Sequence, residues 1–227
     1  MKIGVLLSGC GVYDGAEIHE SVLTLLAIEE QGMAYQCIAM NAPQHHVINH
    51  TTGEEMNESR NMLVEAARIA RGNVAEISTV TPADIDALVI PGGFGSAKNF
   101  TKWAFEGPNG NIEDAVKLLL VNMYNAGKPI VALCVSPVVV AKALEGSKPN
   151  LTIGSEREAS PYEISGFEGG LQATGALTEQ KTVREILVDK ENRIISAPCY
   201  MMEASLLDVR KNISQAIEAL KEMLDEQ

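Results

Sequence analysis

Cys134 closes the run Pro129-Ile130-Val131-Ala132-Leu133 and is followed by Val135, Ser136 and Pro137. That order fits a short buried strand, a turn and a helix, with Ser136 as cap and Pro137 in the first turn, where no N–H is needed. A cysteine at such an elbow meets the N–H groups of the helix N-terminus, which favour a thiolate and can stabilise an oxyanion. The same pattern also describes an inert buried thiol. The local sequence leaves both readings open.

Two other stretches could face that sulfur. Pro91-Gly92-Gly93-Phe94-Gly95 lacks both GxGxxG and a GK[ST] ending, so it argues weakly for a nucleotide. It does let the backbone come close to a reacting atom, with N–H groups as oxyanion donors; a plain strand-to-helix turn explains it equally well. Glu17 opens a helix after Asp14 and Gly15. First-turn acids commonly serve the helix dipole in solvent. Pressed against a thiol, however, the carboxyl would have a raised pKa and suit proton transfer. His19 and Glu20 share this turn and are expected to point elsewhere, at the surface.

The four histidines (19, 45, 46 and 50) all precede Cys134. A glutamine amidotransferase triad, whose His and Glu follow the nucleophile, is therefore excluded, and Val135 excludes a histidine directly after the cysteine. Any base comes from the N-terminal part: Glu17 first, with His19 or His50 as outsiders. Neither the histidines nor the four cysteines (10, 37, 134 and 199) show metal-ligand spacing or CxxC, so no metal and no cofactor is expected. Cys37 and Cys199 read as structural. Cys10, at a neighbouring strand end, is a possible redox partner of Cys134, although its default reading is a small residue in a tight loop. Trp103 and Phe105 either cap a pocket or pack a loop.

The elements that must position these residues follow from periodicity. Strands are expected over 2–7, 35–40, 85–90 and 129–133, and a strand with turn at 46–50. Helices are expected over 16–30, where Ile18, Val22, Leu25, Leu26 and Ile28 recur at helical spacing, and over 57–71, 111–125, 136–144 and 203–224. The alternation implies an α/β chain with a mostly parallel sheet covered on both faces. Arg184–Val188 and Arg193–Ala197 read as an antiparallel hairpin. Residues 148–181, rich in Gly, Ser and Thr, carry little signal.

The chain has 227 residues, 46% hydrophobic and 21% charged, with a formal net charge of −12. This suits one domain over 1–227. It argues against nucleic-acid partners, which need basic clusters, and against anionic membranes. No stretch approaches a membrane span, and the N-terminus is too short-run for a signal peptide. Scattered thiols fit a reducing compartment, read here as the cytoplasm.

Taken together, SGCGVYDGAEIHE, VINHTTGE, NESRNMLVEAARIARG, VIPGGFGSAKN, AGKPIVALCVSP, LTIG and VDKENRIISAPCYM resemble the ElbB-type glyoxalase-like, or "enhancing lycopene biosynthesis", proteins. These belong to the ThiJ/PfpI (class I glutamine amidotransferase-like) superfamily, and the resemblance covers nearly the whole chain. It implies a flavodoxin-like sandwich, Cys134 as the elbow nucleophile, Glu17 as its acidic partner and the Gly93 and Val135 amides as an oxyanion hole. It also implies a homodimer and cofactor-free conversion of glyoxal or methylglyoxal to hydroxy acids. The chain departs from that family at Gly175-Ala176-Leu177-Thr178, where a Gly-Ala-x-His is common, and over 155–182. Two alternatives stand beside the enzyme: a redox-responsive or isoprenoid-linked accessory protein with an oxidisable Cys134, and an inactive scaffold.

Overall fold

The computed structural model describes residues 1–226. In chain order the elements are β1 (Lys2–Leu6), α1 (Ile18–Glu30), β2 (Ala34–Ala39), α2 (Met62–Ile69), β3 (Val74–Glu76) and β4 (Ala87–Ile90), then α3 (Trp103–Glu106), α4 (Asp114–Asn125), β5 (Ile130–Leu133) and α5 (Pro137–Ala143). There follow β6 (Asn150–Leu151), α6 (Ile164–Ala173), β7 (Leu177–Thr178), β8 (Leu187–Asp189), β9 (Ile194–Ala197) and α7 (Leu206–Asp225).

Seven strands form one sheet in the order β3-β2-β1-β4-β5-β9-β8, while β6 and β7 pair separately. All neighbours in the large sheet run parallel except β8 and β9. The helices cover the sheet: α1 packs on α7, α4 on α5 and α2 on β2. Every residue of the central strands β4 and β5 is buried, as expected for strands covered on both faces. The α/β sandwich and the C-terminal hairpin expected from the sequence are both present.

Strand order reverses between β1 and β4: β2 and β3 extend the sheet to one side, β5, β9 and β8 to the other. At such a switch point the loops leaving adjacent strands part in opposite directions and open a crevice at their carboxyl ends. The loops carrying Cys10–Glu17 and Pro91–Gly95 leave β1 and β4 there, and Cys134 leaves β5 beside them.

Three local expectations are corrected. Residues 46–50 form no strand, only a bridge between Ile48 and Glu55; the Ile48 N–H donates instead to the Asp14 carboxylate at 2.7 Å. Residues 148–181 are ordered into β6, α6 and β7. The third correction concerns α1. Its apolar residues Ile18, Val22 and Leu26 are 44%, 49% and 42% exposed, and its buried face is Glu20, Ser21, Thr24, Ala27 and Ile28. Small and polar side chains let the start of this helix lie close to the glycine loop after β4, and that close approach outweighs the burial of three aliphatic groups.

Candidate active site

Cys134 occupies the left-handed region, with φ 57°, a costly conformation for a residue bearing a side chain. The surroundings hold it there. Its N–H donates to Ala197 O at 2.9 Å, and the Ser136 N–H donates to Leu133 O at 2.9 Å, closing the turn. The Ser136 hydroxyl does not cap α5. It bonds Pro91 O at 2.7 Å and the Ser96 hydroxyl at 2.9 Å, tying the elbow to the loop after β4. Pro137 occupies the first turn of α5 as expected.

The loop after β4 must be glycine where it meets the elbow. A Cβ on Gly92 would stand 2.3 Å from the Cys134 Cβ, 2.4 Å from Glu20 Oε2 and 2.8 Å from the sulfur. The next amide, Gly93 N–H, lies near enough to the Cys134 sulfur to favour its thiolate. Among the described residues neither the Gly93 nor the Val135 amide donates to a backbone carbonyl, which leaves both available as oxyanion donors.

The carboxyl against the sulfur belongs to Glu20. This side chain is wholly buried, which corrects its expected place at the surface. Its Oε2 accepts from the Gly92 N–H at 2.9 Å, its Oε1 from the Tyr200 N–H at 3.2 Å, and it stands beside the Cys134 sulfur, both flanking Gly92. Burial, aided by the nearby charge of Glu17, raises its pKa to about 8. Burial first, then Glu20 and Cys199, push the Cys134 thiol well above its ordinary range, while the Gly93 N–H pulls the other way. The two groups share one site in low dielectric and do not both ionise. With the proton on Glu20 its repulsion of the thiolate disappears and the Gly93 amide remains.

Glu17 sits one turn away as the N-cap of α1, its Oε2 accepting from the Glu20 N–H at 2.6 Å. Its pKa is raised by burial. It borders the same space: a recess of about 20 Å³ in front of the sulfur is walled by Glu17, Gly93, Phe94, Val135, Tyr162 and Tyr200, with Val12 and Met201. The recess shares Val12, Glu17, Tyr162 and Tyr200 with an outer vestibule of about 580 Å³ that also touches Tyr13, His19, Pro161 and Glu203. His19 is exposed at this mouth, its Nδ1 bonded to the Tyr200 hydroxyl at 2.9 Å.

The structure thus brings together Cys134, Glu17, Gly93 and Val135. Cys10 is not in that group. Its thiol is pushed up by burial, and the charges acting on it are Glu65, Arg68, Asp14 and Arg60. The thiol that acts on Cys134 is Cys199. His50 lies 3.8 Å from Asp14, away from the recess. Trp103 packs on α6, so tightly that a Cβ on Gly170 would meet it at 2.7 Å, and Phe105 lies against the His45 ring at 4.4 Å between centroids. Among the described residues no group of three or more His, Cys, Asp or Glu side chains could hold a metal ion, and no helix is long and apolar enough to cross a membrane.

No family model matches the chain. Whole-chain comparison does. The chain is 38% identical over 224 residues to the mitochondrial glutamine amidotransferase-like class 1 domain-containing protein 3 of Homo sapiens, covering 98% of this chain and 83% of that protein. It belongs to this amidotransferase-like, ES1-type family. A crystal structure of an isoprenoid biosynthesis protein with an amidotransferase-like domain from Ehrlichia chaffeensis superposes with a TM-score of 0.87 at 36% identity, covering 97% of this chain and 98% of the other. Glyoxalase III of Candida albicans shares the fold at a TM-score of 0.59 and 13% identity, with 97% of each chain covered. The resemblance read from the sequence is therefore correct at the level of family and fold. The cytoplasmic expectation is overturned: the human relative is named as mitochondrial, as are the matching ES1 proteins of Rattus norvegicus and Danio rerio. Thiol usage reports a reducing compartment, and that property does not separate the cytoplasm from the mitochondrial matrix.

Proposed function

We propose that the chain is a cofactor-independent hydrolyase of small 2-oxoaldehydes, converting glyoxal or methylglyoxal to the hydroxy acid. The observation that carries this reading is the buried Glu20 carboxyl set beside the Cys134 sulfur at an elbow whose Gly93 and Val135 amides donate to no backbone carbonyl. In its ionised form Glu20 takes the Cys134 proton and the sulfur adds to the aldehyde carbon, with the resulting oxyanion facing Gly93 and Val135. Glu17, on the substrate side of the recess, takes the C1 proton and returns it to C2, through an enediol, while the proton held by Glu20 goes to the C2 oxygen, leaving a 2-hydroxy thioester. Water then cleaves the C–S bond, releasing the hydroxy acid and restoring the thiol. The net change is the addition of one water.

The dimensions support a small carbonyl at the sulfur, since the recess is about 20 Å³ and holds little more than a water-sized group. The name of the Candida albicans fold neighbour agrees with the reaction, and the names of the vertebrate relatives support a mitochondrial place of work. Replacing Cys134 by alanine is expected to abolish hydroxy-acid formation from methylglyoxal while circular dichroism stays native. Unchanged turnover in that variant overturns the proposal. A second reading, an isoprenoid-linked accessory protein, draws on the name of the Ehrlichia chaffeensis relative; a wild-type chain with no aldehyde turnover favours it.

A further inference from the structure

Cys199 has no part in the aldehyde chemistry, yet it is buried beside Cys134. It follows β9, the strand hydrogen-bonded to β5, in a register that pairs Leu133 with Ala197. The two cysteines therefore leave neighbouring strand ends at nearly the same level. Both turn there through the left-handed region, Cys134 at φ 57° and Cys199 at φ 46°, and the Cys199 thiol is near enough to act on that of Cys134. The Cys199 turn is clamped from behind: its N–H donates to Asn212 Oδ1 at 3.0 Å, and Asn212 Nδ2 donates to Glu185 O at 2.9 Å.

Access to the two sulfurs differs. Cys134 borders the recess, whereas Cys199 is fully buried and does not line it. A reagent entering from solvent reaches Cys134 first, and Cys199 reacts only with what Cys134 has become. Neighbouring strands lie about 4.8 Å apart, inside the Cα separation of up to about 6.8 Å that a disulfide spans.

We propose that Cys199 is the resolving thiol of Cys134: when hydrogen peroxide oxidises Cys134 in the recess, Cys199 closes a Cys134–Cys199 disulfide. In the first step the Cys134 sulfur attacks one peroxide oxygen, the O–O bond breaks, the sulfur becomes a sulfenic acid and the other oxygen leaves as water. In the second the Cys199 sulfur attacks the Cys134 sulfur, the S–O bond breaks, and hydroxide departs with the Cys199 proton as a second water. Two thiols are oxidised by two electrons in total and one peroxide is reduced to two waters. The disulfide halts oxidation before the irreversible sulfinic acid, and the thiol reductant of the compartment reopens it by exchange. Nothing in this depends on the aldehyde reaction.

The test treats the full wild-type chain with a few equivalents of hydrogen peroxide, alkylates free thiols in denaturant, and maps the peptides by mass spectrometry without reduction. The expected result is that the Cys134 and Cys199 peptides are joined in the majority of oxidised chains and separate on reduction. In Cys199→Ser the Cys134 peptide is expected to carry the sulfinic acid instead, and in Cys10→Ser the cross-link is expected to persist. Sulfinic acid at Cys134 in the wild type with Cys199 still alkylated overturns the proposal. So does a Cys134–Cys10 cross-link, or a Cys134 that stays unoxidised. The wild-type map decides the matter even where Cys199→Ser folds poorly.

Discussion

The two walls of the recess are made by different means. On one side, the loops after β1, β4 and β5 set the geometry with backbone: a cysteine at φ 57°, a glycine with no room for a Cβ, and the Gly93 amide near the sulfur. On the other side, Tyr162 and Tyr200 set it with side chains. Tyr162 is half-buried, and its ring meets Phe94 edge-on at 5.8 Å between centroids. Its place in the chain is held by Ser160, whose hydroxyl bonds the Tyr162 carbonyl at 3.1 Å and Met201 O at 2.7 Å. The backbone wall tolerates almost no change because each atom serves both fold and chemistry. The side-chain wall decides only what fits.

Substitution should separate the two sharply. Gly92→Ala, on the backbone wall, drives a methyl into Cys134 and Glu20, and overpacking of this kind costs about 3 kcal/mol. A fall in Tm of about 10 °C is expected for a chain of this size, with activity lost; a native Tm would show that the wall yields. Glu20→Gln comes next. The folded-state pKa of about 8 lies above the ordinary 4.5, so the folded chain keeps a proton that the unfolded chain releases. The associated stability is complete below pH 4.5 and is lost as pH rises through 8. Thermal melts of the wild type should decline over that window, and those of Glu20→Gln should be flatter. The variant should also start lower, since its amide can no longer accept from both Gly92 and Tyr200, and kcat should fall roughly 10²–10⁴-fold. A wild-type melt independent of pH over that range would show that Glu20 is not held neutral. The smallest effect is expected across the recess. Tyr162→Ala should leave stability within about 1 kcal/mol of wild type while admitting bulkier 2-oxoaldehydes, read as a rise in kcat/KM for a branched substrate relative to glyoxal. A large loss of stability there would erase the distinction between the walls.

The sequence made the backbone wall legible because its signals are local. An apolar run ending in Cys-Val-Ser-Pro and a strand ending in Pro-Gly-Gly each describe their own turn, and both turns formed. Glu20 was missed because hydrophobic periodicity chose the other face of α1. Ile18, Val22 and Leu26 form the regular stripe, yet Glu20, Ser21 and Thr24 face inward. A usable signal was present in Glu20, Thr24 and Ala27, which also keep helical spacing and are compact enough to sit near a glycine loop. Tyr162 and the pairing of Cys134 with Cys199 were out of reach for another reason. Each depends on which strand ends become neighbours, and β9 enters the sheet beside β5 only after a long connection whose composition shows little period. The cytoplasmic assignment failed because reducing chemistry is not an address.

The two oxygens of Glu20 have one further consequence. One holds the peptide after β4 and the other the peptide after β9, so a single side chain from α1 is the common anchor of both banks of the cleft. A proton arriving at or leaving that anchor changes the pull on both banks at once, and the width of the gap in front of the sulfur is thereby coupled to the charge of the group that prepares the sulfur to react.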